Sequence, residues 1–163
     1  MPRTRGLSAN LAAFLDTIAE SELGPMLAYP NSDDGYCVIV GSTPKTPILF
    51  TDYSDHPHHS VSLPKLNIHS DAAGRYQIMG KWWDRYKPIL HLPDFGPLSQ
   101  DKYALNSIRE RKALDLIASG KIEKAIYACS NIWASFPGND YGQHQNEIDV
   151  LRAVYRTFGG KEA

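Results

Sequence analysis

The sequence predicts an α+β fold, mostly helical, with one small antiparallel β-sheet in the N-terminal third. Three observations lead there. Apolar residues recur at helical spacing in several separate stretches. Two short runs of strand-forming residues, Tyr36–Val40 and Ile48–Thr51, sit close together near the N-terminus. No internal repeat, low-complexity tract or linker divides the chain, so residues 1–163 read as a single domain.

Leu11, Phe14, Leu15 and Ile18 follow the i, i+3, i+4, i+7 pattern of a first helix. Ser8 suits its N-cap, and Gly24-Pro25 ends it. Asp33-Asp34-Gly35 reads as a turn leading into the first strand, which Gly41 ends. Residues 54–73, with Pro57, Pro64 and many polar side chains, read as an irregular loop. Tyr76, Met79, Trp83 and Tyr86 form a helical stripe broken near Pro88. Ser99 suits the cap of a helix running through Leu105, Ile108 and Leu116 to Gly120. Ile122, Ala125, Ile126 and Cys129 mark another helix. Ile148, Leu151, Tyr155 and Phe158 mark the last, before Gly159-Gly160.

Composition bounds the function. Hydrophobic residues make up 42% and charged residues 21%, enough apolar material for an ordinary core. A formal net charge of -1 argues against a nucleic-acid binder, which usually carries a basic excess. Cys37 and Cys129 read as two separate reduced thiols, without a CxxC redox or zinc pattern. No apolar run approaches the ~20 residues of a membrane span. Arg3 and Arg5 precede Leu11–Leu15, but Asn10 and Asp16 interrupt that candidate signal core. The chain therefore reads as made in the cytoplasm.

Glu22 stands out. It lies seven residues after Leu15, so at 3.6 residues per turn it falls within roughly 20° of Leu15 on the helix wheel. Asp16 and Glu20 point away from that line and read as solvated. Partial burial and the negative end of the helix dipole would both raise the Glu22 pKa. Cleavage of a glycosidic bond needs such an acid, because the leaving oxygen takes up a proton. On the residues alone a second reading stands beside this one: the helix ends a turn earlier and Glu22 is exposed in a loop.

Longer runs tip the balance. They are Ala13-Phe14-Leu15-Asp16 with Ser21-Glu22, Gly35-Tyr36 with Val38–Gly41, and Phe50-Thr51-Asp52-Tyr53-Ser54-Asp55-His56-Pro57. Further on come Ala73-Gly74-Arg75-Tyr76-Gln77, Trp82-Trp83-Asp84, Cys129–Ser135, Pro137-Gly138 and Tyr141-Gly142-Gln143. In these runs, from about Ala13 to Phe158, the chain resembles the lambda-type phage endolysins, lytic transglycosylases with a lysozyme-like fold. Two departures stand out. Leu23 follows Ser21-Glu22 where the group carries Gly, with Gly24 one position later. Cys37 occupies a position where the family's sheet carries an Asp, which implies that no second carboxylate is indispensable there.

The resemblance implies a peptidoglycan lytic transglycosylase with Glu22 as its one catalytic acid and no metal or organic cofactor. Tyr53, Gln77, Asn131 and Tyr141 become candidate glycan-binding residues. For Gly74–Gln77 a helix start with an exposed Gln77 is the alternative. Trp133 could stack on a sugar or pack in the core. A hydrolytic muramidase, with Asp33 or Asp34 positioning a water, and a peptidoglycan-binding protein that does not cleave are the competing functions. The partners implied are glycan strands and no nucleic acid. A monomer is expected, with a separate holin opening the membrane so that the enzyme reaches the periplasmic wall.

Other clusters have simpler readings. His56, His58, His59 and His69 lack a recognised ligand motif and read as a solvent-exposed loop. Arg109–Lys112 reads as a solvated helix face, Cys129 as an inert core residue, and Trp82-Trp83 as core packing.

Overall fold

The computed structural model describes residues 1–163. The chain forms two compact units: Met1–Glu22 with Ala104–Ala163, and Leu23–Tyr103.

The first unit is helical. Helix α1 (Ala9–Leu23) carries Glu22 one residue before its end. Ser8 caps it, its Oγ accepting the Leu11 N–H at 3.2 Å. From Ala13 to Ala19 every residue is buried, Asp16 included at 1% exposure. This corrects the expectation that Asp16 is solvated. The wheel argument assumes one buried face, whereas this stretch is enclosed on all sides. Asp16 Oδ1 lies 3.6 Å from the Met1 amine, a counter-charge for a carboxylate removed from water.

Helix α3 (Pro97–Glu110) and the short α4 (Leu114–Ala118) replace the single long helix expected between Ser99 and Gly120. Lys112 sits in the left-handed region at φ 56°, and Ala113 N–H reaches back to Ile108 O. That pattern closes a helix, usually around Gly, and no Gly or Pro announced it. Helices α5 (Ile122–Cys129) and α6 (Ile148–Thr157) lie where the apolar stripes placed them. Phe14, Ile108, Ile126, Cys129, Phe136, Leu151 and Tyr155 form the core of this unit.

The second unit holds the β-structure. The expected strands at Tyr36–Val40 and Ile48–Thr51 do meet antiparallel: Ile39 N–H donates to Ile48 O and Phe50 N–H to Cys37 O. The contact is a single bridge, Val38↔Leu49, and Tyr36 belongs to the preceding turn. The only ladder is β1 (Val61–Leu63) with β2 (Ile68–Ser70), inside the segment expected to be irregular. Pro64 is one of the residues that make this segment read as a loop. Pro64–Leu66 and Asn67 form the turn of this hairpin, with Asn67 left-handed at φ 51°.

Helix α2 (Gly80–Ile89) follows and includes Pro88 near its end. Trp83 is fully buried against Phe95, but Trp82 is 42% exposed, flanked by Lys81 and Arg85. Core packing therefore describes only the second of the two tryptophans. Ser99, expected as a helix cap, lies within the first turn of α3, its hydroxyl on Asp94 Oδ1 at 3.0 Å. Asp101 Oδ1 accepts both Tyr36 Oη–H and Tyr76 Oη–H at 2.7 Å in the core of this unit. No helix is long and apolar enough to cross a membrane.

Candidate active site

Glu22 is the penultimate residue of α1 and is partly buried, so the helix does not end a turn earlier. Leu23 extends the helix by one residue, and Gly24 supplies the left-handed turn at φ 49°. The Leu23 side chain is buried against Gly35, where any Cβ would collide with it. The departure at Leu23 is thus absorbed by a Leu–Gly pair in the second unit.

Loss of hydration pushes the Glu22 pKa up to about 7, against the pull of hydrogen bonds from Ser135. Ser135 Oγ–H donates to Glu22 Oε1 at 2.6 Å. Ser135 Oγ also lies 2.7 Å from Ser21 Oγ. Asn146 Nδ2–H donates to Ser21 Oγ at 2.9 Å. Ser135 has one hydroxyl proton and gives it to Glu22, so the chain runs Asn146 to Ser21, Ser21 to Ser135, Ser135 to Glu22. Each donor is itself hydrogen-bonded, which orients the acid and polarises the bond it receives.

The segment carrying Ser135 is held by amide side chains. Asn139 Nδ2 donates to the carbonyls of Ser130, Ala134 and Phe136 at 3.1, 3.2 and 2.7 Å. Gln145 Nε2 donates to Asn139 O at 2.6 Å, and Asn146 N–H closes the segment on Ser135 O at 2.8 Å. Sequence reasoning missed Ser135, Asn139 and Asn146. Ser21, adjacent to Glu22, and Ser135, at the end of the Cys129–Ser135 run, carried a signal; Asn139 and Asn146 lie more than a hundred residues downstream.

In the same unit, Asn131 and Tyr141 come together. Tyr141 Oη–H donates to Asn131 O at 3.1 Å, and both residues are exposed. Arg111 Nε–H holds Asn131 Oδ1 at 2.8 Å. Arg111 thus leaves the solvated charge run to orient a neighbour, while Arg109, Glu110 and Lys112 are exposed as expected. Trp133 is buried at 3% exposure beside Phe136, which rules out a sugar platform.

The other two candidates lie in the second unit. Tyr53 is half-buried, its ring on Phe50 and its hydroxyl donating to Asp33 Oδ2 at 2.9 Å. Asp34 is paired with buried Arg75, which reaches both its carboxylate at 3.5 Å and its carbonyl oxygen. Gln77 is half-buried at φ 46° and donates to Gly74 O at 2.9 Å and Val38 O at 3.3 Å. The Gly74–Gln77 run is a closed turn between Ala73 and Ile78, not a helix start. Gly74 is required there: at φ 80°, any Cβ would strike the Gln100 amide.

Both cysteines are buried free thiols, and burial pushes Cys129 up to about 12, which leaves it unreactive at neutral pH. His56 is buried at 4% exposure, which corrects the reading of the histidine run as wholly solvent-exposed.

A family model described as Endolysin matches residues 12–162. The chain is 48% identical over 158 residues to an endolysin of Escherichia phage P2, covering 94% of this chain and 95% of that one. It is 50% identical over 149 residues to an endolysin of Escherichia phage lambda, covering 91% and 90%. Among solved structures, a bacteriophage lambda lysozyme complexed with a chitohexasaccharide superposes with a TM-score of 0.86 at 44% identity, over 98% of this chain and all of that one. Another lysozyme from bacteriophage lambda gives 0.84 at 42% identity, over the same shares.

Proposed function

This chain belongs to the endolysin family, and from that premise we propose that it is a lytic transglycosylase that cuts the glycan strands of peptidoglycan. Family membership makes it a peptidoglycan-degrading enzyme with a lysozyme-like fold. The finer reading concerns what attacks the sugar carbon, and one observation carries it: the arrangement around Glu22 suits a single acid that works alone.

Burial keeps a large fraction of Glu22 protonated near neutral pH. The protonated carboxyl gives its proton to the oxygen between N-acetylmuramic acid and N-acetylglucosamine, and the C1–O bond breaks. The developing oxocarbenium ion is stabilised partly by the substrate's own N-acetyl group. The C6 hydroxyl oxygen of the same muramic acid then attacks C1, and its proton passes to the carboxylate of Glu22. The product ends in a 1,6-anhydro sugar, the acid is regenerated, and no water is consumed. Intramolecular attack needs no second protein base, because the hydroxyl is already held near the reacting carbon. Ser135 stabilises the carboxylate that forms after proton transfer, and burial stabilises the acid before it.

The hydrolytic alternative requires a second carboxylate to position water. The two candidates are already committed: Asp33 accepts the Tyr53 hydroxyl and Asp34 pairs with Arg75. That favours the single-acid reading. A non-cleaving wall binder would have no use for a buried carboxyl tuned to about 7.

Tyr53, Gln77, Asn131 and Tyr141 are the proposed glycan contacts. The lambda lysozyme complexed with a chitohexasaccharide supports a glycan ligand. The enzyme acts as a monomer without cofactor and is made in the host cytoplasm. A separate holin permeabilises the membrane and admits it to the periplasmic wall.

Mass spectrometry of soluble products from purified peptidoglycan tests the mechanism. Fragments ending in 1,6-anhydro-muramic acid are the expected result. Reducing muramic acid ends would establish water as the nucleophile and overturn it.

A further inference from the structure

Outside the candidate site, the histidine run of the second unit folds into a specific cluster. His56, His58 and Asp71 can each offer a ligand atom such that all three lie within 4.8 Å of one another. The geometry points to a divalent transition-metal site formed by His56, His58 and Asp71, with Asp84 as the outer carboxylate on His58.

Hydrogen bonds fix the tautomer of the His56 ring. His56 Nε2 lies 2.8 Å from Ile78 O, which can only accept, so Nε2 carries the proton. His56 Nδ1 is then the lone-pair nitrogen, and it accepts the His58 N–H at 3.0 Å. His58 Nε2 lies 3.2 Å from Asp84 Oδ1, while its Nδ1 lies 3.7 Å from Asp71 Oδ2. Each histidine therefore has an oxygen acceptor on Nε2 and presents Nδ1 as the possible ligand. Metal-bound histidines are held this way, with an outer carbonyl or carboxylate on the far nitrogen fixing the tautomer.

The arrangement also leaves a specific conflict. With the proton of His58 on Nε2, its Nδ1 lone pair faces a carboxylate oxygen. A cation between them removes that repulsion. Gly80 makes the approach possible, because any Cβ there would collide with Asp71 Oδ2 and His58 Nδ1. Its N–H donates to Asp71 Oδ1 at 3.1 Å and orients the carboxylate. Imidazole with carboxylate suits zinc or cobalt(II) better than the hard, oxygen-preferring magnesium or calcium. Binding requires the ion to replace the His58 N–H on His56 Nδ1, in a stretch where His58 is exposed and water can take up the freed donor. Three protein ligands leave a fourth position for water.

The three ligands come from the chain before β1 and the chain after β2, and the outer Asp84 lies in α2. A bound ion would pin the base of the β1–β2 hairpin to that helix. This makes the site a stabilising clip with no part in the chemistry of Glu22.

Titration of the purified full chain with zinc, against a chromophoric chelator, tests the assignment, together with the visible spectrum of a cobalt(II) titration. Wild type is expected to bind one equivalent saturably and to melt at higher temperature with zinc. His58→Ala should lose both effects, and Asp71→Asn should lose saturable binding. Asp84→Asn should weaken it about 10–100-fold, the usual cost of an outer-shell partner. His59→Ala should bind as wild type does. No saturable wild-type binding, or binding unchanged in His58→Ala, overturns the assignment. His58 is exposed, so its variant stays informative even where a buried ligand variant fails to fold.

Discussion

Ser135 Oγ donates a 2.6 Å hydrogen bond to Oε1 of Glu22, a residue 113 positions earlier in the chain. Two opposed effects meet at that carboxyl. Burial raises its pKa, and the serine lowers it, with about 7 as the balance. Each can be shifted separately.

Removing the acid tests the first link. Glu22→Gln keeps the shape and the Ser135 contact but cannot release a proton. Clearing of a cell-wall suspension should fall by at least ~10²–10⁴, the usual share of a general acid. Binding to insoluble wall should persist. A variant that still clears at the wild-type rate would remove Glu22 from the mechanism.

Removing the serine tests the balance. Glu22 acts in its protonated form, so activity falls as pH rises through its pKa. Ser135→Ala takes away a donor that favours the carboxylate, so the pKa rises and the alkaline limb of the kcat/KM profile moves to higher pH. Ser21→Ala should move it the same way by less, through the loss of one link of the chain. An unchanged limb in both variants would reduce the serines to packing.

Stability follows pH in the same direction. The folded pKa of Glu22 exceeds the unfolded value, so its neutral form favours folding at low pH. That contribution is lost as pH rises from about 4.5 through about 7, because the folded state must then hold a buried charge. Glu22→Gln has no charge to hold. It should exceed wild type in stability at pH 8 by ~1–3 kcal/mol and match it near pH 4, measured by urea unfolding.

Asn139 offers a test of positioning. Its amide holds three carbonyls of the segment that carries Ser135. Asn139→Ala should loosen residues 130–146, cutting kcat by roughly tenfold, as a displaced catalytic partner does. Hydrogen exchange should accelerate in that segment and not in α5. Equal protection in both proteins would show that the amide is dispensable.

In the second unit, Asp101 satisfies two buried phenols with one oxygen. Asp101→Leu strands both hydroxyls and should cost ~3–5 kcal/mol in chemical denaturation. A loss under ~1 kcal/mol would mean that water or repacking rescues them.

The sequence by itself determined the helices whose apolar stripes stand alone. Helices α1, α5 and α6 begin and end where spacing, Ser8, Gly24 and Gly159 placed them. It also singled out Glu22, since a carboxylate in phase with Leu15 is a local fact of the helical repeat. What the tertiary structure decided lies in contacts between distant residues. The β1–β2 ladder was hidden because Pro64 and Asn67 punctuate a turn and a loop alike, and only pairing separates the two. Asp16 is buried because α1 is enclosed on all sides, which no single helix wheel encodes. The environment of Glu22 depends on Ser135 and Asn146, which follow α5 in the chain. A pKa is set by whatever surrounds the group in space, and sequence order carries that information only for neighbours along the chain.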